Sequence, residues 1–155
     1  MLSGKLSAMP SPTAYAPWLW CFTLLFLLRV LGQVIVVIFH PRWLPPMEQW
    51  YSGLMPYPCL LPAQILILAL MVAIGRGVSS GSGFFARPRP RLGRWLMGLS
   101  CLYFAGMVVR YVLRMTWHPD QRWLGGTIPI VFHCVLAAYL FTYGSYLARG
   151  RRRAS

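Results

Sequence analysis

Residues 18–39, WLWCFTLLFLLRVLGQVIVVIF, form an apolar run of 22 residues broken near its middle by Arg29 and, one turn later, by Gln33. A helix needs roughly 20 apolar residues, at about 1.5 Å each, to cross the hydrocarbon of a bilayer. An arginine near the centre of such a helix costs on the order of 3 kcal/mol unless something receives its charge. The run is too long for the apolar part of a signal peptide, holds an arginine and lacks a small-x-small cleavage site after it, so it is read as a retained first helix. Pro17 fits its first turn, where a missing N–H is harmless. The rest of the chain is then read for what answers Arg29.

The totals agree with a membrane class. Of 155 residues 57% are hydrophobic and only 11% charged, with a mean hydropathy of +0.55, more apolar surface than a water-soluble core of this size can hide. The net charge of +13 would suit nucleic acid in a soluble protein. Here the arginines gather at the ends of apolar spans, where lipid phosphates are the natural partners, and no basic helix or stacking platform stands apart from the spans. The partners expected are therefore membrane lipids and no nucleic acid. The four cysteines, Cys21, Cys59, Cys101 and Cys134, fall one per apolar segment without metal-ligand spacing and read as small packing residues.

Residues 1–14 read as a short flexible tail. In residues 40–58, HPRWLPPMEQWYSGLMPYP, five prolines forbid a regular helix while Trp and Tyr keep the segment at the membrane interface. A second helix follows over about 57–76, with Gly75, Arg76 and Gly77 expected to end it. Residues 79–94, SSGSGFFARPRPRLGR, read as a basic loop holding anionic headgroups. The third and fourth helices are expected over about 94–115 and 128–148, followed by a basic tail, 150–155. The fold expected is thus an all-α integral membrane protein: one domain, 15–149, built as a four-helix transmembrane bundle with the 40–56 connection at the interface.

Orientation follows the Lys/Arg bias of short loops. Ten basic residues fall in the tails and the 79–94 loop with its approach, against Arg42, Arg114 and Arg122 on the other side. Both termini are expected in the cytoplasm (N-in/C-in). Size and a lack of glycosylation sites point to a bacterial inner membrane.

Counting residues from the outer ends places Gln33, Gln64, Arg110 and His133 at a similar level, one on each helix, with Arg29 a turn deeper on the Gln33 face. On the fourth helix His133, Ala137, Gly144 and Ala148 form one stripe, and small residues mark where membrane helices approach closely. Gly106 suggests the same for the face of Arg110. The two carboxylates, Glu48 and Asp120, both fall in the outer connections, where charge compensation is needed. The expectation is an outward-opening pocket lined by Arg29, Gln33, Gln64, Arg110 and His133, with the 40–58 segment as lid and Glu48 or Asp120 as pairing carboxylate.

A positive, hydrogen-bonding cavity in an apolar wall suits an amphiphile with an anionic or carbonyl head: a lipid, a fatty acid or a quinone. A proton-coupled antiporter needs a carboxylate within a span, and none is present. A bis-histidine haem needs a second intramembrane histidine at matched depth. No nucleophile motif, phosphate loop or metal signature indicates a reaction, so no cofactor is named. The competing class is a structural or assembly subunit, a homo-oligomer or part of a larger membrane complex, in which the buried polar residues pair with another chain.

Overall fold

A computed structural model describes residues 14–44, 50, 57–117 and 127–149, and these are all-helical outside short connections. The tails, Glu48, Asp120 and most of the 40–56 connection lie outside them. The helices are α1 (Ala16–Phe39), α2 (Tyr57–Ser80), α3 (Pro90–Trp117) and α4 (Thr127–Arg149). Each is long and apolar enough to cross a membrane, with window hydropathies of 2.5, 2.2, 1.7 and 1.5 in chain order.

The helix ends have local causes. Pro17 occupies the first turn of α1, and His40 closes the helix in a left-handed conformation (φ 45°, ψ 48°), its N–H on the Val36 carbonyl. Pro41 then prevents continuation. The second helix runs past the glycines expected to end it. Trp20 of α1 lies 3.4 Å from where a Cβ on Gly75 would sit, and Phe85 lies 3.1 Å from the equivalent point on Gly77. These glycines are notches for neighbouring rings. The helix stops instead at Gly81 (φ +63°), whose N–H meets the Val78 carbonyl at 3.3 Å. Likewise α3 begins inside the Arg/Pro string, because Pro90 can open a helix whose first turn needs no amide hydrogen from it.

The core is made by three helices. Leu19, Phe26 and Val30 of α1, Met71, Ile74 and Val78 of α2, and Tyr139, Tyr143 and Leu147 of α4 form one buried cluster. Tyr139, 1% exposed, donates its hydroxyl to the Met71 carbonyl at 2.8 Å, tying α4 to α2. Trp20 donates to Ser79 Oγ at 3.0 Å and ties α1 to α2. At the end of the bundle that holds the start of α1 and the end of α4, Arg149 lies over the Tyr15 ring, 5.1 Å from its centroid. The α2–α3 connection belongs to this same end, since Tyr143 and Tyr146 donate to the carbonyls of Phe85 and Ala86, each at 3.1 Å.

By contrast α3 packs chiefly on α4, and of its residues only Gly93 and Ser100 are buried. A Cβ on Gly93 would lie 2.6 Å from both the Gly144 carbonyl oxygen and the Ala148 nitrogen, so the two backbones touch where both helices carry small residues. The small-residue stripe of α4 thus faces α3. A Cβ on Gly106 would meet nothing within 4 Å, so the close approach expected there is absent. Gly106 lies on an open face of α3.

Candidate functional site

The buried residues of α1, Leu19, Thr23, Phe26, Arg29, Val30, Gln33 and Val36, recur every three or four positions and share one face. That face meets α2 and α4. Arg29 (6% exposed) and Gln33 (0%) therefore point into the protein, although Leu28 and Leu31 beside them are exposed. Spacing alone explains this: an i, i+4 pair stays on one side, whereas the intervening leucines turn outward.

Three contacts surround the pair. Arg29 Nη2 donates to the backbone carbonyl of Trp50 at 3.1 Å. The Arg29 guanidinium carbon lies 5.6 Å from the centroid of Phe132 on α4, within range of the attraction between a cation and a ring face. Gln64 Nε2 of α2 donates to Gln33 Oε1 at 3.0 Å, an amide bridge between the first two helices.

Trp50 is the residue that sequence reasoning left at the interface. It is 7% exposed, and its indole lies so close to Gly32 that a Cβ there would come within 2.7 Å of the ring. Gly32 precedes the end of α1 by seven residues, so the indole reaches about 10 Å down the helix. A peptide carbonyl buried among helices needs a donor, since an unpaired buried backbone group costs about as much as a lost hydrogen bond. Arg29 supplies the hydrogen bond, and the carbonyl in turn receives part of the arginine's positive charge. The signal available in the sequence was Gly32 itself, a residue without a side chain three positions after Arg29 in an otherwise bulky run.

The bonding leaves buried groups unused. Among the described residues Arg29 Nε, Gln33 Nε2 and Gln64 Oε1 have no hydrogen-bond partner. Exchanging the two ends of both glutamine amides changes which atoms are left over but not their kind: one N–H and one carbonyl oxygen. Together with Arg29 Nε–H, the trio offers two donors and one acceptor.

The remaining sequence candidates lie elsewhere. His133 is half-buried and its Nδ1 donates to the Pro129 carbonyl of its own helix. Because Nδ1 carries the hydrogen, Nε2 of the neutral ring is an acceptor. The ring lies against Tyr103 of α3, with centroids 5.9 Å apart, while its neighbour Phe132 is the α4 residue that meets Arg29. Arg110 is half-buried on α3, two turns beyond Tyr103. The structure therefore joins Gln33 to Gln64 between α1 and α2, keeps Arg29 one turn away on the same buried face of α1 against Trp50 and Phe132, and sets His133 on the α3–α4 seam. Glu48 and Asp120 lie outside the described residues.

Comparison with protein families, curated proteins and solved structures gives no match. The site has to be read from its own chemistry.

Proposed function

We propose that this chain is a multi-pass membrane protein, with both termini in the cytoplasm of a bacterial cell, that holds the polar head of an amphiphile beneath the Trp50-bearing connection. The observation that carries the reading is the surplus of buried hydrogen-bonding groups on Arg29, Gln33 and Gln64. A buried polar group without a partner costs on the order of 1–3 kcal/mol, so three on neighbouring turns of α1 and α2 favour a molecule that engages them. Arg29 Nε–H and the free amide N–H would donate to a phosphate, carboxylate or quinone oxygen, and the free amide carbonyl would accept from a hydroxyl. The apolar tail would lie along the helices, and movement of Trp50 away from Gly32 would open the route from the outer side.

A second reading, an assembly subunit, is favoured by α3, whose spanning window is only 6% buried within the chain. One experiment separates them. The wild-type protein, Arg29→Leu and Gln33→Leu are purified from membranes in mild detergent and examined by native mass spectrometry with lipid and quinone extraction. A co-purifying amphiphile that both variants lose supports the site and identifies the head group. A wild-type protein that carries no amphiphile but brings a stoichiometric membrane partner, retained or not by the variants, overturns it in favour of assembly.

A further inference from the structure

The opposite end of the molecule carries a concavity that owes nothing to Arg29. Arg91, Arg94, Trp95, Gly98, Leu99 and Leu102 line a groove of about 540 Å³. Their spacing places them on one face of α3, from its first turn to about 12 Å below Arg94. A smaller groove of about 420 Å³, lined by Arg89, Pro90, Arg91, Leu92 and Arg94, adjoins it. Arg91 and Arg94 belong to both, so two guanidinium-bearing side chains stand where the two grooves meet.

The ends of this channel differ in chemistry as those of a phospholipid do. Trp95, 78% exposed, stands one residue below Arg94, the level where indoles settle among headgroups. Further down, Leu99 and Leu102 are 55% and 72% exposed and offer only hydrocarbon. Gly98 keeps the channel open between them, since a Cβ there would touch nothing within 4 Å. Among the described residues the charge at this end is of one sign: Arg76, Arg87, Arg89, Arg91, Arg94 and Arg149 lie toward it, and the described residues include no Asp or Glu. A zwitterionic head would bring an ammonium group that finds no carboxylate among them, whereas an anionic head meets only cations.

We infer that this face of α3 binds one anionic phospholipid, with the phosphate between Arg91 and Arg94 and one acyl chain running past Gly98 toward Leu102. The inference shares with the proposed function only the placement of the helices in a membrane, and it is independent of the Arg29 site. Planar guanidinium groups suit phosphate oxygens, and juxtamembrane arginines attract anionic lipid.

The full chain in mild detergent is titrated with phosphatidylglycerol, with phosphatidylcholine and, separately, with inorganic phosphate, and the retained adducts are counted by native mass spectrometry. Wild type is expected to retain one phosphatidylglycerol in preference to phosphatidylcholine and to hold no phosphate. Arg91→Gln with Arg94→Gln should lower retention by about thirtyfold, at roughly fivefold per arginine. Gly98→Leu should lower retention by filling the channel, and Gly98→Ala by less. Circular dichroism should show both Gly98 variants as helical as wild type. Equal retention of phosphatidylcholine, phosphate binding that matches lipid binding, or unchanged retention in Gly98→Leu overturns the site. So does a doubling of mass lost on Gly98→Leu, which would make the face a contact between two copies. Failure of Arg29→Leu to retain an amphiphile at its own site bears on the proposed function alone.

Discussion

Replacing Arg29 with leucine tests whether this residue is kept for stability. Three terms set the outcome. Removing a cation from the middle of a spanning helix relieves about 2.5–3.5 kcal/mol on insertion scales. Against that, the Trp50 carbonyl loses its 3.1 Å donor, which costs about 1–3 kcal/mol for a buried acceptor left alone. Losing the approach to Phe132, 5.6 Å from the guanidinium carbon, removes about 0.5–2 kcal/mol more. Leucine refills most of the space that the arginine stem occupied, so little cavity term is added. The opposing sums nearly cancel at their midpoints, and Arg29→Leu is expected to unfold within about 2.5 kcal/mol of wild type, the span those three ranges allow. The measurement is reversible unfolding in mixed micelles of increasing denaturing-detergent fraction, followed by circular dichroism. Limited proteolysis of the 40–56 connection should rise in the same variant, because its anchor is gone. A loss above about 3 kcal/mol, the value expected when a buried partner is stripped from a group that depended on it, would show Arg29 to be a strut for the connection and would remove the reason to see a ligand site in its unused N–H.

Other outcomes follow from single contacts. Gly93→Ala drives a methyl group to 2.6 Å from backbone atoms of α4 that cannot rotate away, so it should destabilise by about 1–3 kcal/mol. Gly106→Ala, which meets nothing, should be neutral or slightly stabilising; equal unfolding midpoints for the two would refute the close α3–α4 contact. Gly32→Ala pushes against the tip of the Trp50 ring, 2.7 Å from the new methyl carbon, and should increase proteolysis of the 40–56 connection with little loss of helix by circular dichroism. Tyr139→Phe removes the 2.8 Å hydrogen bond to Met71 and should lower stability by about 1 kcal/mol in the same micelle assay. Joint Tyr143→Phe and Tyr146→Phe should leave the spans intact but make the 81–89 connection a site of early proteolytic cleavage, since both of its hydroxyl donors are lost.

The spans could be read from the sequence because length and hydropathy suffice for them, and α1 matched to within two residues at its start. The ends of α2 and α3 could not. Gly75 and Gly77 look like terminators unless the rings of Trp20 and Phe85 that occupy them are known, and Pro90 opens a helix only once the preceding proline-rich string is seen to stop short of it. Gly144 and Ala148 were legible as a contact face because small residues at helical spacing have one common use in membranes, but the same rule applied to Gly106 failed: a glycine on an open helix face has the same letter. Within the site, the pairing of Gln33 with Gln64 was anticipated only as a shared depth. Matching levels did not say which helix each side chain meets: His133, on the Gly144–Ala148 stripe that faces α3, lies against Tyr103. The Trp50 carbonyl was invisible to any reading by residue type, since every residue has one.

The way α3 leans almost wholly on α4 has a consequence for biosynthesis. The first two helices can join as soon as both have left the ribosome, through Trp20 with Ser79 and Gln33 with Gln64. The third then emerges with its closest neighbour still untranslated, and the loop before it cannot be secured until Tyr143 and Tyr146 arrive. A chain halted after Trp117 would hold a settled hairpin and a stray helix, so commitment to the native arrangement waits for α4, and a stop codon between α3 and α4 should be as damaging as one before α1.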